Sequence, residues 1–298
     1  MIMKPSLTIA LLGTGLLGRA IAERLQAVGH TVVAYNRTAT KALPLLAHAI
    51  AVVGTPELAV GQAECVILLL TDAAAIRSVL LSPSCSAALK GKTVIQMGTI
   101  SSSESLGIRR AIERYGGTYC EAPVLGSLAE AKEGSLFVMV GGTEEQFARL
   151  HPLFRSLGRE PRLIGTVGKA ATLKLALNHL IAAEASAFAL SLGLVQRSGV
   201  PVETFMAILR ESALFAPTFD KKLPRLLKRD YHQPNFSTRH LLKDVRLCSE
   251  EAAGFGLTTS SLDGIRAILE QTIAQGLGEV DYSALYETIN PAVKQQKS

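Results

Sequence analysis

The sequence contains no tryptophan, and aromatic residues of all kinds make up only 5% of it. Its core must therefore be filled by Leu, Ala, Val and Ile, which suits helices packed on a sheet and argues against a β-sandwich. Cysteine is scarce as well. Cys65, Cys85, Cys120 and Cys248 are the full set, and no two stand at CxxC spacing. Zinc sites and thiol redox motifs are unsupported, no metal is expected, and the usage fits a reducing cytoplasm. Cys65 and Cys120 lie in apolar strand-like runs, where a thiol packs as a small hydrophobe. The N-terminus lacks a basic region, a long apolar core and a small-residue cleavage site, so no signal peptide is read there. Unbroken hydrophobic runs are also missing. The one apolar stretch of bilayer-spanning length, from Lys169 to Arg197, is interrupted by Lys174, Asn178, His179 and Glu184. A helix buried on most sides in a soluble protein is the expectation, with no membrane partner.

No block of one charge dominates, although the formal net charge is +6. The densest basic run, Lys221 to Arg229, reads as a solvated helix face. It has no aromatic platform or binding motif beside it, so no nucleic-acid partner is expected. A basic surface does attract anionic substrates and a phosphorylated cofactor.

What is present is enough chain for two domains: 298 residues, 48% of them hydrophobic. Residues 7–12 form an apolar run ending in glycines. Residues 16–28 show helical spacing through Leu17, Ile21 and Leu25, Gly29 ends that helix, and residues 31–35 read as a second strand. Further strands are predicted at 49–53, 65–70, 93–97, 118–121, 136–140 and 162–164. Continuous apolar strands with helices between them indicate a mostly parallel sheet covered on both faces. After Gly168 only helical patterns continue: one long helix, then 202–211, 238–253, 262–275 and 283–288. The prediction is an α/β Rossmann-like domain over 1–166 followed by an all-α domain over 167–298, with the long helix lining a cleft between them. The tail Lys294–Ser298 is expected to fray.

Gly13-Thr14-Gly15-Leu16-Leu17-Gly18 places three glycines at G-x-G-x-x-G spacing between a strand and a helix. In that context the first allows a tight turn, the second a close approach of a pyrophosphate, and the third close helix–strand packing. The helix N-terminus then offers free N–H groups to phosphate. A purely structural turn is the alternative. At the end of the second strand, where an NAD site usually carries a carboxylate for the ribose, stand Asn36, Arg37 and Thr38, with Lys41 one turn on. Arg37 can grip a 2′-phosphate through its planar fork, with Asn36 and Thr38 as donors, which favours NADP(H). An exposed loop arginine is the alternative here.

Lys174 and Asn178 stand at i and i+4 and share a helix face. An ammonium there can protonate a carbonyl oxygen as hydride reaches the carbon, and can stabilise the developing alkoxide. By spacing alone a surface Lys–Asn pair would be the favoured reading, but the apolar surroundings call for a reason to keep a lysine.

These residues belong to four ordered blocks through which the chain resembles the β-hydroxyacid (3-hydroxyisobutyrate) dehydrogenase family over nearly its whole length. The blocks are Gly13–Gly18, Glu121-Ala122-Pro123-Val124-Leu125-Gly126-Ser127, Gly168-Lys169 through Lys174 and Asn178, and Phe236 followed by Lys243-Asp244. The resemblance implies a 6-phosphogluconate-dehydrogenase-like NADP-binding domain, Lys174 as general acid in reduction and Asn178 as its partner. It implies Leu70, Thr71, Thr99 and Lys243 as cofactor contacts, and Leu125, Gly126, Ser127, Phe236 and Asp244 near the substrate. It also implies a homodimer or homotetramer built through the helical domain. A surface ion pair is the plain alternative for Lys243-Asp244, and a strand-end turn for Thr99.

Asn36-Arg37-Thr38, Leu70-Thr71-Asp72, Glu121–Val124 and Arg239–Leu247 are closest to the NADPH-dependent glyoxylate and succinic semialdehyde reductases of that family. Leu125 stands where the family usually has a serine that helps bind the substrate carboxylate, and Ser127 where it commonly has glycine. The N–H groups of Gly126 and Ser127 and the Ser127 hydroxyl are left for that task, which opens the choice of substrate. The expected activity is hydride transfer from NADPH to a small aldehyde or 2-oxo acid. A 3-hydroxyisobutyrate or tartronate semialdehyde type of dehydrogenase is the alternative. An imine reductase is disfavoured by Lys174, and a non-catalytic NADP-binding module by Lys174, Asn178 and Lys243 together.

Overall fold

Residues 6–292 are described by a computed structural model, and the tail at 294–298 lies outside them. The strands are β1 (Thr8–Leu12), β2 (Thr31–Tyr35), β3 (Ala51–Val52), β4 (Cys65–Leu68), β5 (Thr93–Gln96), β6 (Thr118–Glu121), β7 (Val124–Leu125), β8 (Phe137–Gly141) and β9 (Arg162–Gly165). Between the strands lie seven α-helices: α1 (Leu16–Ala27), α2 (Pro56–Gln62), α3 (Ala73–Leu80), α4 (Pro83–Ser86), α5 (Ser102–Arg114), α6 (Leu128–Glu133) and α7 (Glu144–Leu157). Then follow α8 (Lys169–Arg197), α9 (Val202–Glu211), α10 (Pro217–Lys228), α11 (Thr238–Gly254), α12 (Ser260–Ala274) and α13 (Leu285–Ile289). The chain divides into two compact units that meet between Lys174 and Leu175, inside α8.

In the first unit the sheet runs β3-β2-β1-β4-β5-β6-β8-β7, with β9 on β8. Strands β1 to β6 are all parallel, in the order of a doubly wound sheet, so strand order reverses beside β1 and β4. Successive side chains of a strand point to opposite faces, and the core divides accordingly. Ile9, Leu11, Val32, Ala34 and Ile67 pack with α1 and α7 on one face, while Ala10, Leu12, Val33, Val66 and Leu68 pack with α2, α3 and α5 on the other. The sheet is mostly parallel, as expected, and β9 also pairs parallel with β8; the exceptions surround β7. Past β6 the chain doubles back through β7, and β8 pairs antiparallel with both β6 and β7. Pro123, which has no N–H to give, breaks the ladder there and its carbonyl accepts Met139 N–H at 3.0 Å. Strand β4 is also shorter than its apolar run. Leu69 makes the last ladder bond, to Leu12 O at 2.9 Å, and its carbonyl then folds over the glycine loop.

The second unit is helical, packed around Phe188, Leu192, Met206, Leu241, Leu269 and Tyr286. One of its helices is not among the helical ranges predicted after Gly168: α10, which begins at Pro217 and contains Pro224. Proline is tolerated in a first turn, and two prolines in twelve residues conceal the helical period. The long helix α8 also departs from expectation. It is long and apolar enough to cross a membrane, yet only a third of its most apolar window is buried. Ala182, Phe188, Ala189 and Leu192 enter the core, while Leu180, Leu190 and Leu194 are 53%, 63% and 69% exposed.

Candidate active site

The glycine loop leaves β1 at the carboxyl edge of the parallel sheet. Gly13 has φ +108°, and its N–H bonds to Tyr35 O at 2.9 Å. A Cβ there would run into the Leu69 carbonyl, and one at Gly18 into the Gly13 carbonyl, so packing demands both glycines. Gly15 differs. A Cβ at Gly15 would meet nothing within 4 Å, so the protein's own packing does not require it. Helix α1 starts at Leu16 with Leu17 in its first turn, no side-chain cap and no acidic residue. Its first N–H groups lack intrahelical partners, as at any helix start. The Thr14 hydroxyl is buried and has no hydrogen-bond partner.

The ends of β2, β4 and β5 gather at the same sheet edge. Asn36 Oδ1 accepts Thr14 N–H at 2.9 Å, and Asn36 Nδ2 donates to Thr38 O at 2.9 Å. Its amide thus ties the glycine loop to the turn after β2, and part of the donor capacity expected for a phosphate is engaged within the protein. Arg37, Thr38 and Lys41 are exposed beside it. After β4, Leu70 is half-buried and Thr71 exposed, and Asp72 caps α3 by accepting Ala75 N–H at 2.7 Å. After β5, half-buried Thr99 follows Gly98, where a Cβ would come within 2.8 Å of Leu70 O.

Lys174 lies in the second turn of α8 and is half-buried; Asn178 follows one turn on and is 3% exposed. Asn178 Nδ2 donates to Asp244 Oδ2 at 2.6 Å, and the buried Oδ1 has no partner. Lys243 Nζ stands 2.8 Å from Asp244 Oδ1. The structure therefore brings Asn178, Asp244 and Lys243 together across α8 and α11. Asp244, read as a substrate neighbour, has both carboxylate oxygens turned to these two side chains. Phe236 packs edge-on against Tyr282, with ring centroids 5.9 Å apart.

The loop after β6 has also turned its donors inward. Ser127 caps α6 in a capping box with Glu130: its N–H donates to Glu130 Oε2 at 2.9 Å and its hydroxyl to the same oxygen. The Ser127 N–H and hydroxyl, two of the groups expected to serve a substrate carboxylate, are thus held by the protein's own carboxylate. Gly126 is exposed at φ +142°, and Leu125 is half-buried in β7, paired with Phe137. The S-x-x-E spacing of Ser127 and Glu130 is readable in the sequence as a helix start.

Comparison with known proteins fits this arrangement. A family model described as the NAD binding domain of 6-phosphogluconate dehydrogenase matches residues 8–168. A second, described as NAD-binding of NADP-dependent 3-hydroxyisobutyrate dehydrogenase, matches residues 168–289. Glyoxylate/succinic semialdehyde reductase 1 of Arabidopsis thaliana is 30% identical over 287 residues, covering 94% of this chain and 98% of that protein. The chain belongs to the β-hydroxyacid dehydrogenase family.

This dehydrogenase is an NAD(P)-dependent oxidoreductase. It is also 29% identical over 286 residues to 2-hydroxy-3-oxopropionate reductase of Escherichia coli (strain K12), covering 94% and 96% of the two chains. Mycobacterium tuberculosis 3-hydroxyisobutyrate dehydrogenase, solved with L-serine, shares its fold: the TM-score is 0.84 at 24% identity, covering 96% of this chain and 99% of that one. A dinucleotide suits what the first unit offers: a glycine the packing does not need, an uncapped helix start, and an orphaned hydroxyl. Three of the four cysteines, Cys65, Cys85 and Cys120, are buried. Burial pushes Cys65 and Cys85 up to about 11 and Cys120 to about 12, leaving no reactive thiolate at neutral pH.

The residue that sequence reasoning passed over is Glu121. It opens the Glu121–Ser127 block, is 1% exposed and accepts the N–H groups of Gly168, Ala170 and Ala171. Those partners are 47 to 50 positions away, so no local signal announces them.

Proposed function

We propose that the dehydrogenase reduces a small aldehyde or 2-oxo acid with NADPH, with Lys174 as the general acid. The observation that carries this reading is the buried Asn178 amide, held by Asp244 through Nδ2 and left with an unpartnered Oδ1 one helical turn from Lys174. When bound, NADPH supplies the hydride. Lys174 delivers a proton to the carbonyl oxygen and steadies the charge that builds there, contributing the 10²–10⁴-fold typical of a positioned acid. Asn178 accepts a hydrogen bond at Oδ1 and adds no charge, so the ammonium is not neutralised. Asp244 fixes which end of the amide is available. Gly13–Gly18 hold the pyrophosphate, and Arg37 and Thr38 select the 2′-phosphate, with Asn36 shaping the turn they stand on. Leu70, Thr71, Thr99 and Lys243 serve as the remaining cofactor contacts.

The experiment is a panel of initial rates with NADPH and with NADH on glyoxylate, succinic semialdehyde and tartronate semialdehyde, with 3-hydroxyisobutyrate oxidation run in the reverse direction. NADPH-dependent reduction of an aldehyde or 2-oxo acid is the expected result. Preferential oxidation of 3-hydroxyisobutyrate with NAD replaces this reading by the alternative, and no turnover on any member contradicts it. We also propose a homo-oligomer assembled over the exposed stripe of α8 formed by Leu180, Leu190 and Leu194.

A further inference from the structure

Helix α8 begins without a serine, threonine or aspartate of its own to receive its first N–H groups: the residues before Lys169 are Thr166, Val167 and Gly168, and the exposed Thr166 contributes its backbone carbonyl, which Lys169 N–H meets at 3.1 Å. The acceptor comes from the sheet. Glu121, the last residue of β6, takes Gly168 N–H at 2.8 Å, Ala170 N–H at 2.9 Å and Ala171 N–H at 3.1 Å, all on Oε1. Its Oε2 accepts the Ser105 hydroxyl of α5 at 2.6 Å, and Ser105 Oγ lies 2.8 Å from Tyr119 OH on β6. An ordinary cap satisfies one N–H from the adjoining residue and ties a helix only to itself. Here three N–H groups are tied to a strand, and the carboxylate is held in turn by a second helix.

The surroundings are cut to fit. A Cβ on Gly141 of β8 would strike the Glu121 carboxyl group, and one on Gly168, at φ +103°, would come within 2.7 Å of Ser102 Oγ. Lys174 is three residues beyond Ala171, less than one turn of 3.6 residues. The rotation and axial position fixed at Ala170 and Ala171 are therefore passed to the Lys174 backbone with no flexible segment between.

We infer that Glu121 is a positioning residue for Lys174: through the first turn of α8 it fixes where the proton-donating ammonium stands relative to the sheet. This rests on the reading of Lys174 as the acid, so the two are tested side by side. Lys174→Ala, Glu121→Ala, Glu121→Gln and Ser105→Ala are compared for kcat, KM, NADPH dissociation constant by fluorescence titration, and melting temperature, with rates taken well below each melt. Glu121→Ala is expected to lower kcat about tenfold to a hundredfold, the scale of a small misplacement of a catalytic group, with the NADPH constant within about twofold of the parent. Glu121→Gln, which keeps an oxygen for the three N–H groups, is expected to recover most of kcat. Should Glu121→Ala not fold, Ser105→Ala decides. It frees one side of the carboxylate and is expected to lower kcat severalfold at unchanged NADPH affinity. A folded Glu121→Ala with parental kcat, a rise in the NADPH constant in place of a fall in kcat, or a Ser105→Ala rate equal to the parent when Glu121→Ala does not fold overturns the inference. Undiminished turnover in Lys174→Ala overturns the acid assignment instead, whatever the Glu121 variants do.

Discussion

Arg37 is an exposed side chain at the end of β2, so its removal costs the fold little and its effect is read in binding. Replacing it by glutamate is expected to raise the NADPH dissociation constant roughly tenfold to a hundredfold, the worth of about 1.5–3 kcal/mol for a hydrogen bond to a charged group. NADH binding should change far less, and titration with both cofactors checks this. Glu121 carries a different signature. Burial pushes its carboxyl group above the ordinary 4.5, and the hydrogen bonds from Ser105, Ala171, Gly168 and Ala170 pull it only partly back. Between 4.5 and its raised value the folded state binds more protons than the unfolded chain. Stability from this group must then fall as pH rises through that window. In urea unfolding from pH 4.5 upward, the parent should lose stability relative to Glu121→Gln. A difference that is flat or grows with pH refutes the assignment. At this scale the sequence was legible where chemistry is local. The tight turn at Gly13 and the shared helix of Lys174 and Asn178 could be read directly from spacing. The engagement of Asn36 by Thr14 could not, because a side chain's partner depends on rotamer and turn geometry, whereas the S-x-x-E spacing already marks Ser127 and Glu130 as a capping pair.

At the scale of elements, the glycine loop separates packing from binding. Gly18→Ala places a Cβ against the Gly13 carbonyl and should destabilise the protein by about 1–3 kcal/mol, as overpacking does. Gly15→Ala meets no protein atom. It should leave the melting temperature close to that of the parent and weaken NADPH binding, and a variant with parental affinity would show that no phosphate approaches there. The strands and helices that follow a single period were readable with shifts of one or two residues at their ends. Continuous apolar strands gave β1, β4 and β5, and α9 matches its predicted range. Two elements fell outside the predicted ranges and one ended early, each for a physical reason. The two-residue β7 is too short to show a period, Pro224 conceals α10, and the folding of Leu69 over Gly13 shortens β4 against the run of leucines that continues past it.

At the scale of the molecule, hydrophobicity proved a poor guide to burial along α8. Its leucine-rich sequence predicted a helix enclosed on most sides, whereas Leu190 and Leu194 stand 63% and 69% exposed in a single chain. Fully covering one such side chain is worth about 1.5–3 kcal/mol, so Leu190→Glu with Leu194→Glu is expected to shift the protein to monomer in size-exclusion chromatography with light scattering. A parent that runs as a monomer, or an unchanged mass in the variant, contradicts the assembly proposed over α8. The parallel-dominated sheet and the order of strands then helices were foreshadowed by the alternation of apolar runs. The tie from β6 to α8 was not, since it joins residues 47 to 50 positions apart. The account as a whole turns on the ammonium of Lys174, and single-turnover oxidation of NADPH by Lys174→Ala with its best aldehyde substrate tests it most directly. The rate should fall about 10²–10⁴-fold while the NADPH dissociation constant stays near that of the parent. A parental rate in that variant would contradict the account.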